Sequence, residues 1–251
     1  MWLIWIIIIT CVGINLGWIC ALTVWQFPEK RNFFSSPICT QCKERLIPVY
    51  QIPILGFILT QGKCSHCKKS LPSYLLIIPV LSPILVILFF IKFELSVLFF
   101  QFGFLAIITI LIFFLDLYYR VIPDIITFPM MVCGILFSFF NGLGFWFSLK
   151  GFALGAGVFI LIALLFKLIT KRDGLGGGDI KLIAMIGLFL GFQLTFLTIF
   201  ISSILGILIY AFSVKRNKIL IPYGSFIILA MFVSILIGND IIRWYLQIWG
   251  L

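Results

Sequence analysis

The chain has 251 residues, of which 63% are hydrophobic and 10% are charged, and its formal net charge is +10. An ordinary soluble domain has roughly 25% charged residues, so this composition excludes a soluble globular protein and predicts an all-α membrane protein. The positive charge is explained by contact with anionic lipid headgroups, and we expect no nucleic acid as a partner.

Apolar runs predict about eight transmembrane helices, because a segment of about 20 apolar residues crosses the roughly 30 Å hydrocarbon core of a bilayer. The runs are 2–24, 73–91, 95–115, 125–140, 147–168, 193–214 and 220–238, with a shorter one at 180–192. No basic residue precedes the first run and Trp2 stands at its start. We therefore expect the first run to be a retained membrane helix and not a cleaved signal peptide.

Lysine and arginine residues predict the orientation of the chain, because short cytoplasmic connections collect them. If the loop at 26–72 is cytoplasmic, fifteen of the eighteen cations lie in cytoplasmic connections, and only Lys92, Lys150 and Arg243 lie on the other side. We therefore expect both chain ends outside. The predicted organisation is a first transmembrane helix at 1–25, a cytoplasmic loop at 26–72 and a membrane-embedded domain at 73–251.

Four cysteines in the polar loop form two CxxC pairs, Cys39 with Cys42 and Cys64 with Cys67. This spacing is typical of a zinc ribbon, in which two turns present four thiolates to one tetrahedral ion. Four thiolates leave no open position for water, so the predicted zinc is structural. A set of unrelated free thiols is the alternative.

Two of the eight acidic residues, Asp116 and Asp179, adjoin long apolar segments. A charged side chain costs about 2.5–3.5 kcal/mol at the centre of a membrane helix, so both are functional candidates. The predicted topology ends the third helix and begins the sixth at the cytoplasmic face, so the two carboxylates can meet. One carboxylate of such a pair can activate water while the other protonates a carbonyl, which is the chemistry of an aspartic protease.

The positions of the two aspartates on their helices predict different protonation. Negative charge is disfavoured near a helix C-terminus and favoured near an N-terminus, so we expect Asp116 to carry the shared proton. Gly176, Gly177 and Gly178 precede Asp179. Because glycine permits positive φ and close backbone approach, we expect these residues to form the wall of a peptide cleft. A flexible loop is the alternative interpretation.

Four motifs, in this order along the chain, resemble those of the type IV prepilin peptidases, which are membrane aspartic proteases of the GxGD type. They are the paired CxxC loop, Asp116 followed by Ile122-Pro123-Asp124, the run Gly176-Gly177-Gly178-Asp179-Ile180-Lys181-Leu182, and Ile221-Pro222-Tyr223-Gly224. The resemblance covers nearly the whole chain and implies that 73–251 is an aspartic peptidase domain.

The resemblance also implies a substrate, a location and roles for residues. Such enzymes cut the short basic leader of prepilins and pseudopilins at the cytoplasmic face of the bacterial inner membrane, and serve pilus, secretion or DNA-uptake systems. The expected partners are these substrates and membrane lipids. By resemblance Asp116 and Asp179 are the catalytic pair. Asp124, the three glycines and Lys181 have supporting roles. Lys181 steadies the loop or a nearby carboxylate, and an ordinary cation of the inner face is the alternative.

Many members of this family also methylate the new N-terminus with S-adenosylmethionine. Their segment after the second CxxC resembles Y-P-x-V-E, whereas this chain has Tyr74-Leu75-Leu76-Ile77-Ile78 and lacks the glutamate. A carboxylate can bind or deprotonate the substrate ammonium, so we expect weak or absent methylation. S-adenosylmethionine is then a cofactor only if that activity is retained.

Two other classes of protein are compatible with the residues alone. In a proton-coupled transporter, Asp116 and Asp179 would relay protons, although such proteins normally place polar groups near the bilayer midplane and contain internal repeats. In a non-catalytic scaffold, the zinc loop would bind partners and either aspartate would tolerate replacement by Asn.

Overall fold

The computed structural model describes residues 2–29, 38–39, 41–46, 52–172, 174, 176–214, 222–248 and 250. All the long elements in these residues are α-helices, so the predicted all-α fold is confirmed. The helices are α1 Trp2–Gln26, α2 Leu55–Leu59, α3 Tyr74–Phe93, α4 Val97–Tyr119, α5 Asp124–Phe140, α6 Gly144–Thr170, α7 Gly177–Val214 and α8 Tyr223–Ile248.

Six of these helices, α1, α3, α4, α6, α7 and α8, are long and apolar enough to cross a membrane, and α5 is a shorter apolar helix. The chain is therefore a multi-spanning membrane protein. The segments predicted at 180–192 and 193–214 correspond to the two parts of α7, which is 38 residues long and has a non-helical residue close to their boundary. A straight helix of that length would measure about 57 Å, nearly twice the hydrocarbon thickness.

A break at Gly191 divides α7 close to the predicted boundary. The φ and ψ angles of Gly191 are 68° and −174°, a conformation that is accessible to glycine and strained for other residues. The break deprives the carbonyl groups of the preceding turn of their helical donors. Ser148 Oγ donates to the Leu188 carbonyl at 2.8 Å and Gln101 Nε2 donates to the Phe189 carbonyl at 2.7 Å. Side chains of α6 and α4 thus provide hydrogen-bond donors to two carbonyl groups beside the break in α7.

The described chain divides into two compact units, and α4 contributes residues to both. The first unit is Met1–Lys92 with Ala106–Phe114, and the second is Phe93–Leu105 with Leu115–Leu251. Both proposed catalytic aspartates belong to the second unit.

In the first unit, α1 packs closely on α3 and is tied to the cysteine loop. Ser82 Oγ donates to the Gly13 carbonyl at 2.8 Å, which joins the two helices. Trp25 Nε1 donates to the Ile38 carbonyl at 2.7 Å, immediately before the first cysteine pair. The hydrogen bond from Trp25, which is part-buried, links the end of α1 to the loop.

In the second unit, α7 packs against α5, α6 and α8. Every residue from Leu182 through Leu190 is buried, so the first half of α7 is surrounded by protein. Asp179 lies one turn before this buried stretch. The packing therefore holds the start of α7, and with it Asp179, in a defined position.

Helices α6 and α7 cross at glycines. A β-carbon added to Gly151 would clash with the Gly187 carbonyl oxygen, and one added to Gly155 would lie 2.7 Å from the Ile183 carbonyl oxygen. These neighbours are backbone atoms, which cannot swing away as the tip of a side chain can. The crossing therefore requires glycine, as in other closely packed membrane helices.

We expect Gly151→Ala to lower the melting temperature of the purified protein, because overpacking a tight contact typically costs about 1–3 kcal/mol. Gly157→Ala is the matched control, because a β-carbon on Gly157 of the same helix would meet nothing within 4 Å. That control should melt at or slightly above the wild-type temperature, since alanine favours helix. Thermal unfolding in detergent measures both variants, and identical melting would contradict the close crossing.

Candidate active site

Three helix ends meet in the second unit: the end of α4, the start of α7 and the start of α8. Asp116 lies in the last turn of α4, which Arg120 ends in the left-handed conformation with φ 54°. Asp179 lies in the first turn of α7, and its N–H donates to the Gly176 carbonyl at 3.1 Å. Each aspartate is thus at the helix end where the sequence placed it. The expectation that Asp116 carries the shared proton stays a prediction.

The structure brings Asp116 and Asp179 together across Gly224. A β-carbon added to Gly224 would lie 2.6 Å from Asp116 Oδ2 and 3.1 Å from Asp179 Oδ1. The two carboxylate oxygens therefore flank a single point, and their separation cannot exceed the sum of these two distances. One water molecule can bridge two acceptors at such a separation with two hydrogen bonds.

The first turn of α8 supplies a hydrogen-bond donor to one of the two carboxylates. Ser225 Oγ donates to Asp116 Oδ2 at 3.4 Å. The Ser225 backbone N–H donates to the Pro222 carbonyl at 3.3 Å, so the hydroxyl is the group of Ser225 that reaches the site. The start of α8 thereby contacts the carboxylate at the end of α4.

The site has one polar centre and an apolar wall. Asp116 is only 4% exposed, and Asp179 is half-buried. The Ile122 side chain lies 3.1 Å from a β-carbon added to Gly224 and 3.3 Å from one added to Gly178. Such a partly desolvated setting strengthens hydrogen bonds to the carboxylates.

The glycines before Asp179 act through close approach and not through positive φ. Gly177 and Gly178 begin α7, and neither they nor Gly176 has a positive φ angle. A β-carbon on Gly176 would lie 3.3 Å from Asp179 Oδ2, and one on Gly178 would crowd Ile122, whereas one on Gly177 would meet nothing within 4 Å. Gly176 and Gly178 therefore leave room beside the carboxylate.

Lys181 and Asp124 join the starts of α5 and α7. Lys181 Nζ lies 2.7 Å from Asp124 Oδ1 and 2.8 Å from Oδ2, and 5.6 Å from the centre of the Phe128 ring. The two side chains are 38% and 52% exposed, so the pair contributes at most about 1 kcal/mol to stability. Within the described residues Lys181 makes its hydrogen bonds to Asp124 and none to Asp116 or Asp179, so this pair bridges the starts of α5 and α7.

The cysteine pairs in the first unit form two similar turns. Lys43 N–H donates to the Cys39 carbonyl at 2.9 Å, and Lys68 N–H donates to the Cys64 carbonyl at 3.0 Å. Lys43 and Lys68 have φ angles of 60° and 59°. The repeated geometry points both pairs of thiols to one place.

The four sulfur atoms form a cluster whose dimensions suit a tetrahedral metal ion. Cys39 Sγ lies 3.8 Å from Cys67 Sγ, and Cys42 Sγ lies 3.9 Å from Cys64 Sγ. All four atoms lie within 4.8 Å of one another. Four thiolates at about 2.3 Å from a tetrahedral zinc ion would be about 3.8 Å apart. The residues present therefore fit a structural metal site with a closed coordination shell.

One thiol of this cluster ionises readily. Burial raises the pKa of Cys64, but hydrogen bonds from the Cys67 and His66 backbone N–H groups and from the Cys67 and Cys39 thiols lower it to about 7. A metal binds the thiolate and not the thiol. The cluster thus offers a deprotonated ligand near neutral pH.

Comparison with known proteins identifies the family. Residues 103–211 match the Type IV leader peptidase family, and residues 11–93 match the Bacterial Peptidase A24 N-terminal domain. A prepilin leader peptidase/N-methyltransferase of Pseudomonas aeruginosa is 32% identical over 226 residues, which cover 84% of this chain and 75% of that protein. The chain belongs to the type IV leader peptidase family.

Other relatives give the same result for this leader peptidase. Proteins with the same name from Dichelobacter nodosus and Aeromonas salmonicida are 30% and 28% identical. The alignments cover 86% and 89% of this chain and 77% and 84% of those proteins. No solved structure matches. The family predicted from the motifs is confirmed, and the chain is a membrane peptidase.

Two residues of the leader peptidase site were not among the predicted site residues. The motif Ile221-Pro222-Tyr223-Gly224 contains Gly224 but predicts no role for it, and no sequence motif includes Ser225. Both lie in the first turn of α8, and Ser225 is 1% exposed. The only signal was a short polar stretch, Pro222 to Ser225, at the start of an apolar helix.

Proposed function

We propose that this leader peptidase cuts the short basic leader from type IV prepilins or pseudopilins at the cytoplasmic face of the bacterial inner membrane. The catalytic residues are Asp116 and Asp179. The observation that carries this proposal is the meeting of the two carboxylates across Gly224. The names of the relatives, which describe prepilin leader peptidases, support the substrate class.

In the proposed reaction, a water molecule lies between the two carboxylates. One carboxylate accepts a proton from this water as its oxygen attacks the scissile carbonyl carbon, while the protonated partner donates to the carbonyl oxygen. The tetrahedral diol then collapses, the C–N bond breaks and a proton passes to the leaving nitrogen. The Ser225 hydroxyl, which donates to Asp116 Oδ2, holds that carboxylate in place through both steps.

The distribution of charge supports the proposed orientation. Fifteen of the eighteen cations lie in the connections assigned to the cytoplasm, including Arg120 and Lys181 close to the candidate site. Asp116 and Asp179 lie at helix ends on that side. A basic leader would then enter from the cytosol while the apolar stretch that follows it stays in the bilayer.

The proposal is tested by incubating membrane vesicles that contain the peptidase with a purified prepilin. Mass spectrometry should show release of the leader by inverted vesicles, whose cytoplasmic face is exposed, and much less by right-side-out vesicles. Cleavage only by right-side-out vesicles would show that the active site faces the opposite side of the membrane. Cleavage by neither kind of vesicle would contradict the proposed prepilin substrate.

We propose that zinc occupies the four-cysteine cluster and holds the loop, since a tetrathiolate site leaves no position for a catalytic water. Cys39→Ser should reduce bound zinc from about one ion per chain to less than half of that. Cys133→Ser, which changes a cysteine of α5 outside the cluster, should leave the zinc content unchanged. Elemental analysis of the purified proteins measures the zinc content per chain. Equal zinc in the two variants would contradict a zinc site at the four-cysteine cluster.

Methylation by this chain is expected to be weak or absent. Tyr74, Leu75 and Ile78 occupy the start of α3 and are buried, and none supplies the carboxylate expected of an amine methyltransferase. Incubation with labelled S-adenosylmethionine and a cleaved prepilin should transfer little label to the new N-terminus. Efficient transfer would show that another group replaces the glutamate and that the cofactor is used.

A further inference from the structure

A cavity in the second unit lies far from the catalytic candidates. Its volume is about 590 Å³, which is within the range of small-molecule sites. Gln101 lies in its wall at one end of α4, whereas Asp116 lies at the other end, about 22 Å away along the helix axis. The cavity is therefore separate from the peptidase site.

The polar lining of this cavity suits an anion. Lys150 is the one charged residue among the described residues that line it. The structure shows no ion pair or hydrogen bond to the Lys150 side chain within the described residues. Gln193 and Asn239 also line the cavity and are exposed. Their side-chain amides make no hydrogen bond to another described residue. An ammonium group and two amides are donors suited to phosphate oxygens.

An apolar groove continues from this cavity between α7 and α8. The groove has a volume of about 550 Å³ and shares Phe192 and Gln193 with the first cavity. Apart from Gln193, its lining is apolar or aromatic and includes Phe196, Phe200 and Trp244. These three side chains are 59%, 58% and 64% exposed, so no other part of the described chain covers them. A charged pocket joined to an apolar groove has the form of a site for an amphiphile.

The position of Lys150 also calls for a counter-ion. It is one of only three cations on the side of the membrane where lysine and arginine are disfavoured. Of the other two, Arg243 pairs with Asp240 at 3.0 Å, and Lys92 has an interaction partner. A cation held at the membrane edge without a protein partner is best neutralised by an anionic group from outside the chain.

We propose that the cavity and the groove together bind one anionic phospholipid. Its phosphate contacts Lys150 and the amides of Gln193 and Asn239, and its acyl chains lie along the aromatic groove at Phe196 and Phe200. This lipid site is independent of leader cleavage, and it places a bound lipid beside the Gly191 break of α7.

Native mass spectrometry of the full chain in detergent tests the site with phosphatidylglycerol and phosphatidylcholine of identical acyl chains. The wild-type protein should bind phosphatidylglycerol about tenfold more tightly than phosphatidylcholine, and Lys150→Gln should lose that preference. Lys150→Arg should keep it. Added inorganic phosphate should not compete, since the acyl chains contribute most of the binding. Competition by free phosphate would show an ion site and overturn the lipid assignment.

Lys167→Gln is the matched control, because Lys167 lies at the opposite end of the same helix as Lys150. It removes the same charge and should leave the lipid preference unchanged. Leader cleavage by each variant checks that the fold is intact. Equal affinity of the wild-type protein for both lipids, or the same preference in Lys150→Gln as in wild type, would refute the proposal.

Discussion

Replacement of Asp116 or Asp179 by Asn is expected to lower the rate of leader cleavage at least about a thousandfold, because general acid and base groups contribute up to about four orders of magnitude. An amide can neither take a proton from water nor deliver one to the substrate carbonyl. Asn has nearly the same size as Asp, so the packing at the three helix ends is retained.

Asp240→Asn is the control for this experiment. Asp240 is exposed, pairs with Arg243 and lies near the far end of α8, so its loss should change cleavage by less than about twofold. Cleavage of a purified prepilin in detergent measures all three variants. Normal cleavage by either dyad variant would exclude the proposed pair and favour a transporter or a scaffold.

Gly224→Ala should inactivate the peptidase without unfolding it. The new β-carbon would lie 2.6 Å from Asp116 Oδ2, which is closer than such atoms approach, and 3.1 Å from Asp179 Oδ1, which is a tight contact. At least one carboxylate must therefore move, and a displacement of about 1 Å can cost about a hundredfold in rate. Gly224 lies in the first turn of α8, where alanine is favourable, so α8 itself should be unaffected.

Gly177→Ala provides the comparison, because it places a β-carbon in the same site region with nothing within 4 Å. We expect it to cleave at nearly the wild-type rate. In Gly224→Ala the loss should be in kcat more than in KM, since the substrate-binding surface is intact and the reacting groups are displaced. If both variants were equally active, Gly224 would not lie between the carboxylates.

The helices and the meeting of the two aspartates could be predicted because they depend on local properties of the chain. Apolar runs require a helix of a certain length in a membrane, and the bounds of α4 and α5 agree with the predicted segments to within a few residues. Charge asymmetry then assigned Asp116 and Asp179 to one face. That assignment needed no knowledge of which helices touch.

The details of the site could not be predicted because they depend on contacts between distant residues. Ser225 reaches Asp116 only because α8 begins beside the end of α4, and Lys181 reaches Asp124 across 57 positions of sequence. The conformation of Gly191 is likewise set by donors from α4 and α6. A single sequence shows the residue types but not these neighbours.

The rate of leader cleavage by the double variant Asp116→Asn/Asp179→Asn tests most directly whether the two aspartates act as one unit. If they share one water and one proton, either single replacement already disables the pair, and the double variant should retain the same kcat/KM as the single variants. Losses that multiply in the double variant would mean that the two carboxylates act independently, which would contradict the proposed catalytic dyad.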